Sequence, residues 1–201
     1  LTHFDIHKPL LSYFEHNKLD RGEQILTRLQ GGESCALVSD AGMPAISDPG
    51  ETLVAACAAR HIPVYVVPGP TAMASALAVS GLPTGRFTFE GFLSVNKRSR
   101  REHLQAVEHE LRTMVFYEAP HKLRRTLADF AKVLGEDRRV AVVRELTKIH
   151  EEVWRTTLGE AAARYREQEP RGEFVLVVEG AAATAPDQEA YTLADAVGIA
   201  R

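Results

Sequence analysis

The sequence predicts an α/β protein of two domains, the first built on a mostly parallel sheet and the second on a mixed one. Three observations predict it. Short runs rich in Val, Ile and Leu alternate with stretches of helical periodicity, the pattern left by βαβ units. Two runs in the first half, 34–38 and 62–67, are largely apolar, as strands covered on both faces must be. After Gly85 the runs alternate more and the connections shorten, which reads as a second, mixed sheet. The boundary is expected near residue 85, giving domains 1–85 and 86–180. The stretch 181–201 has linker composition and then a helix-like pattern from Tyr191.

The elements follow in order. A strand over 34–38 runs into the polar loop Ser39-Asp40-Ala41-Gly42-Met43-Pro44-Ala45-Ile46-Ser47-Asp48-Pro49-Gly50. The end of that loop reads as a helix start, with Asp48 at N-cap, Pro49 at N1 and Glu51 at N3, and the helix should reach about residue 60. A strand over 62–67 is followed by the turn Pro68-Gly69-Pro70-Thr71 and a helix of small residues over 72–79, stopped by Gly81 and Pro83. In the second domain we expect a strand over 87–89, a basic loop over 91–101 and a helix over 101–112. A strand over 113–117 then leads to a helix over 120–134, closed by Gly135. Strands over 139–144, 152–157 and 173–178, with a helix over 158–168, complete the set.

Composition excludes several classes. With 201 residues, 45% of them hydrophobic, the chain has enough apolar surface for a real core. A formal net charge of −3 gives no global attraction for nucleic acid, so a polyanion must meet a local basic patch. Cys35 and Cys57, one in a strand pattern and one in a helix pattern, read as small buried hydrophobes of a reducing compartment. No stretch approaches the roughly 18 apolar residues of a membrane helix, and residues 1–18 are too charged for a signal peptide, so a cytoplasmic location is expected. Phosphate-loop, zinc-ligand and G-x-S-x-G patterns are absent.

The polar loops at expected strand ends carry the chemistry, because open α/β sheets bind ligands at the C-terminal edge of their strands. Asp40 can accept hydrogen bonds from a cationic or hydroxylated ligand group, whereas Asp48 reads first as a helix cap. A Mg²⁺ site on the two carboxylates is disfavoured by the two turns between them. Thr71 and the free amides after it open a helix toward the same edge. Glu118, in Tyr117-Glu118-Ala119-Pro120-His121, and Glu145, in Arg144-Glu145-Leu146-Thr147-Lys148, stand at the ends of two later strands. Surface pairing with Arg124 or Lys148 is the plainer reading of both carboxylates. The densest cationic cluster, Lys97, Arg98, Arg100 and Arg101, is either a solvated face or a contact for a phosphate backbone.

Taken together, S-D-A-G-M-P-A-I-S-D-P-G at 39–50, P-G-P-T-A at 68–72, F-E-G-F-L at 89–93, Y-E-A-P-H at 117–121, R-E-L-T-K at 144–148 and G-E-F-V-L-V-V-E-G at 172–180 resemble the tetrapyrrole methylase family of S-adenosylmethionine-dependent methyltransferases. Within it they are similar to the ribosomal RNA small subunit methyltransferase I group. The resemblance implies a two-domain tetrapyrrole-methylase-like fold that holds S-adenosylmethionine between its domains. It also implies a homodimer, with a cytidine ribose 2′-hydroxyl of small-subunit ribosomal RNA as substrate. It places Val38, Ser39, Asp40, Met43, Thr71, Ala72, Glu118 and Leu146 at the cofactor, and Lys97, Arg98, Arg100 and Arg101 are then candidates for RNA contact. Glu145, Asp48 or Lys148 would help remove the proton from the attacking hydroxyl. A tetrapyrrole or protein side-chain methyltransferase, or a cofactor-binding fragment without activity, are the alternatives. Family members begin with a strand, a Pro- and Gly-containing loop and a Glu-Asp-Thr-Arg segment, none of which occurs here; Leu1 is expected to fall just after them. Tyr191 is expected to begin a short further domain.

Overall fold

The structure, a computed structural model, describes residues 2–182. Its contacts divide the chain into two compact units, Leu1–Ser75 and the residues from Ala76 onward. The expected helix-like pattern from Tyr191 lies outside the described residues.

In the first unit a short 3-10 turn, Thr2–Phe4, precedes α1, Lys18–Gln30, and α2, Glu51–Ala59. The chain then enters α3, Ala72–Val79. Sequence reading passes over α1, although Gly22, Ile25, Leu26 and Leu29 recur at the spacing of one helix face. That face makes the core of the unit: Ile25 and Leu26 pack with Leu53 and Cys57 of α2, and Leu11, Tyr13, Leu29 and Ile62 close around them. Tyr13 Oη and Thr52 Oγ1 share a hydrogen bond of 3.0 Å, and Arg60 donates to Glu23 at 3.0 Å.

The parallel sheet expected here is not formed among the described residues. Residues 34–38 and 62–67 have no ladder partner, and a strand exists only through the ladder hydrogen bonds of a neighbour. Their side chains accordingly stand open: Val38 is 66% exposed, Tyr65 88% and Val67 85%. Cys35, expected inside, is exposed for the same reason, and Cys57 is buried. The helix start also differs from expectation. Gly50 rather than Asp48 is the N-cap of α2, at φ 145°, and no side chain caps the helix. A Cβ at Gly50 would stand 2.7 Å from Leu37 Cδ2 and 3.0 Å from Ala45 Cβ, so the chain turns into α2 two residues later than the capping pattern implies.

The second unit is a mixed α/β layer structure. Its strands are β1 Phe87–Phe92, β2 Thr113–Glu118, β3 Arg139–Arg144, β4 Glu152–Thr157 and β5 Phe174–Val178. They lie in the order β1-β2-β5-β3-β4, with β1 parallel to β2 and every other pair antiparallel. β1 is longer than expected because a register shift between Phe89 and Gly91 carries the strand on to Phe92. Helices α4 Lys97–Val107, α5 Pro120–Leu134 and α6 Leu158–Glu167 accompany the sheet.

α5 matches its expected bounds because its signals are complete: Pro120 in the first turn, Gly135 after the end, and an inward stripe of Leu123, Leu127, Phe130, Ala131 and Leu134. That stripe meets Met114 and Phe116 of β2, Val140 and Val142 of β3, and Leu176 and Val178 of β5 in one core. At its centre the rings of Phe116 and Phe130 lie 4.8 Å apart. No helix of the described residues is long and apolar enough to cross a membrane.

Candidate functional site

In the first unit the loop after residue 38 is wound by its own side chains. Ser39 Oγ lies within hydrogen-bonding distance of Gly42 O, 2.9 Å, and Ala41 O, 3.1 Å, so its one proton holds the loop tip closed. Gly42, Ala45 and Ser47 all have positive φ, at 75°, 65° and 61°. A loop held in sparsely populated conformations is an observation that motivates a functional reading. The Asp40 carboxylate is exposed and accepts no hydrogen bond from another described residue. The turn at 68–71 runs alongside: a Cβ on Gly42 would lie 3.5 Å from Pro70 O, and one on Gly69 would lie 3.9 Å from Met43 Sδ. Thr71 then opens α3, its Oγ1 accepting the Ala74 amide at 3.2 Å and its carbonyl the Ser75 amide at 3.1 Å. Val38, Ser39, Asp40, Met43, Thr71 and Ala72 are therefore gathered on two adjoining loops of one unit.

In the second unit the sheet register gathers the other expected residues. β2 and β3 both run antiparallel to β5, and Glu118 and Arg144 are each paired with Phe174, one on either side. Glu118 and the loop Glu145-Leu146-Thr147-Lys148 thus leave the sheet at the same edge.

That loop is fastened by ionic and backbone contacts. Glu145 Oε1 accepts the Glu173 amide at 2.9 Å and Lys148 Nζ at 3.1 Å, and Lys148 also reaches Glu173 Oε2 at 2.8 Å. Glu145 and Thr147 have positive φ, 48° and 65°, and Thr147 N donates to Glu151 Oε2 at 2.5 Å. Gly172 completes the fastening: at φ 89°, a Cβ there would stand 2.5 Å from Glu145 Cγ. The Glu173 amide and then Lys148 hold the Glu145 carboxyl below its ordinary range, and Glu173 and Glu145 raise the Lys148 ammonium above its own. Both groups are charged at neutral pH at their ordinary values, and the contacts shift each further that way, so Glu145 becomes the weaker proton acceptor and neutral Lys148 the scarcer form.

Glu118 is 3% exposed, and both its oxygens are taken: Oε1 accepts the Ala119 amide at 2.9 Å, and Oε2 accepts Thr126 Oγ1. Its carboxylate is part of the β2–α5 corner. The surface pairing with Arg124 suggested by sequence does not form, as Arg124 Nε donates to Tyr165 O at 2.8 Å.

The basic segment is a helix where the sequence suggested a loop. Asn96 Oδ1 accepts the amides of Arg98 at 2.9 Å and Ser99 at 3.2 Å, which starts α4 four residues earlier than expected. Helical winding then sorts the cations. Lys97, Arg98 and Arg101 are exposed, with Arg98 Nε 2.8 Å from Glu102 Oε1. Arg100 is 4% exposed and donates inward, to Asp129 Oδ2 at 2.8 Å and Thr126 Oγ1 at 2.9 Å. Arg100 is therefore withdrawn from the expected RNA-contacting set. Thr126 escaped sequence reading, although a lone hydroxyl within the apolar stripe of α5 was the available signal. Among the described residues no group of three or more His, Cys, Asp or Glu side chains could hold a metal ion.

The profile of the tetrapyrrole (corrin/porphyrin) methylases matches residues 3–162. The chain is 52% identical over 181 residues, 90% of its own length, to a Synechocystis sp. protein named ribosomal RNA small subunit methyltransferase I, and it spans 65% of that relative. Among solved structures it is similar to the methyltransferase CobJ, at 25% identity and a TM-score of 0.58, covering 84% of this chain and 73% of the other. It also shares its fold with uroporphyrin-III C-methyl transferase from Thermus thermophilus complexed with S-adenyl homocysteine, at 18% identity and a TM-score of 0.54, covering 82% of this chain and 74% of the other.

Proposed function

The chain belongs to the tetrapyrrole (corrin/porphyrin) methylase family, and on that premise we propose that it binds S-adenosylmethionine and methylates a cytidine ribose 2′-hydroxyl in small-subunit ribosomal RNA. The observation that carries this reading is the pairing of the Asp40 loop with the turn before Thr71, in a chain half identical to a relative of that name. The donor set suits the ligand: an exposed carboxylate for a hydroxyl or ammonium group, beside two loops that touch at Gly42 and Pro70. We assign Val38, Ser39, Asp40, Met43, Thr71 and Ala72 of the first unit, and Glu118 and Leu146 of the second, to cofactor binding. Glu118 acts through the backbone corner it pins, since its own oxygens are engaged. A cytoplasmic homodimer is part of the same proposal.

When bound, S-adenosylmethionine supplies an electrophilic methyl group. The protein's part is to hold that group and the ribose oxygen in line and to accept the proton the hydroxyl loses. Lys148 pairs with Glu145 and Glu173 and anchors its loop. The proton acceptor in this proposal is Asp48, on the loop that carries Asp40. Asp48→Asn is expected to lower kcat by about 10²-fold or more while cofactor affinity stays within twofold; an unaltered kcat would remove Asp48 from the role.

RNA is assigned to the outward face of α4. Replacing Lys97, Arg98 and Arg101 together by alanine is expected to weaken binding to small-subunit RNA and to flatten the dependence of log affinity on log salt by about 2 to 3. Cofactor affinity should not change, and an unchanged slope would return α4 to a solvated face. The acceptor itself is tested by transfer of a labelled methyl group to small ribosomal subunits, to a free tetrapyrrole and to protein. Label in the RNA alone supports the proposal, and label in either alternative replaces it.

A further inference from the structure

One buried polar chain runs from the basic helix to the sheet edge that carries Glu118. Arg100 of α4 donates through one terminal nitrogen to Thr126 Oγ1 at 2.9 Å and through Nε to Asp129 Oδ2 at 2.8 Å. Thr126 of α5 donates its hydroxyl proton to Glu118 Oε2 at the end of β2. Arg100, Thr126 and Glu118 are 4%, 1% and 3% exposed, so no water substitutes for a lost partner without opening the core. A hydroxyl has one proton, and here its direction is fixed. The Arg100 N–H points at the Thr126 oxygen, so the proton must go to the carboxylate.

A polar network of this cost is not required for packing. α5 already buries Leu123, Leu127, Phe130, Ala131 and Leu134, and an apolar residue at 126 would extend the stripe. What the network adds is direction. Glu118 receives the Ala119 amide on one oxygen and Thr126 on the other, which fixes the chain where β2 turns into α5. Ala119 is the N-cap of α5 without a side-chain cap, so the Glu118 carboxylate is the group that orders this corner.

We infer that Arg100 and Thr126 are positioning residues for cofactor binding: through Glu118 they set the β2–α5 corner that receives S-adenosylmethionine. The inference rests on the proposed function and goes beyond it by assigning a role to two residues that do not touch the ligand. It also divides the work of α4, whose outward cations serve RNA while its inward cation serves the cofactor.

The test uses S-adenosylhomocysteine as probe, with the full chain, by calorimetry. Thr126→Val keeps the shape of the side chain and removes the proton that Glu118 receives; it should weaken binding roughly tenfold with RNA affinity unchanged. Thr126→Ser restores the hydroxyl and should restore affinity. Arg100→Lys keeps a buried cation but loses the planar fork whose two nitrogens reach Thr126 and Asp129 separately; it should weaken binding, and it carries the test if Thr126→Val does not fold, parent-like affinity then overturning the inference. Parent-like affinity in the Val variant overturns the inference, as does equal weakening in Val and Ser, because the hydroxyl is then irrelevant. A parent chain that does not bind the probe at all is a failure of the proposed function instead, and the inference falls with it.

Discussion

An Asp40→Ala chain is expected to bind S-adenosylmethionine about 10- to 100-fold more weakly than the parent, read by calorimetry, with its thermal midpoint unchanged. The magnitude follows from one hydrogen bond to a charged acceptor, worth about 1.5–3 kcal/mol, at about 1.4 kcal/mol per tenfold change. The midpoint should hold because Asp40 is exposed and supports nothing around it; Ser39 Oγ closes the loop without it. Asp40→Asn separates charge from shape and should recover only part of the loss. Affinity equal to the parent's would exclude Asp40 from the ligand and leave its loop a plain turn.

Phe130→Ala is the substitution with the largest expected effect on stability. Phe130 is fully buried on the inward stripe of α5, 4.8 Å from the Phe116 ring, in a core shared with residues of three strands. Truncating a large core aromatic costs about 3–5 kcal/mol, because transfer free energy is lost and the surrounding helix and sheet collapse only partly into the space. Urea denaturation should show the midpoint fall with little change in slope, since the surface exposed on unfolding is nearly the same. A loss below about 1 kcal/mol would mean that the α5–sheet packing described above is wrong.

Much of the second unit was legible because its signals are local. α5 has its proline, its glycine and its apolar stripe, and a polar turn separates β3 from β4. The first unit was harder, since 34–38 and 62–67 carry strand composition but a strand is a property of a pair. Composition alone does not say whether a partner lies beside it. The apolar spacing of α1 is masked by the charged residues around it. The cations of α4 show a different gap. Four positive charges in five residues read as one patch, yet Asn96 starts a helix there, and 100° per residue turns Arg100 inward while its neighbours face out. The motifs around Asp40, Thr71, Glu118 and Glu145 were visible as segments. That Glu145 is tied to Lys148 and Glu173, and Glu118 to Thr126, depends on strand register and helix phase, which the motifs do not state.

The most direct measurement of the central claim is alkaline hydrolysis of small-subunit RNA after transfer of a labelled methyl group by the chain. Alkali cleaves RNA through attack of the 2′-oxygen on the adjacent phosphate, so a methyl group on that oxygen blocks cleavage at its own position. The label is expected in an alkali-resistant dinucleotide carrying cytidine on its 5′ side. Label released in mononucleotides would place the methyl group on a base, and RNA without label would contradict the assignment altogether.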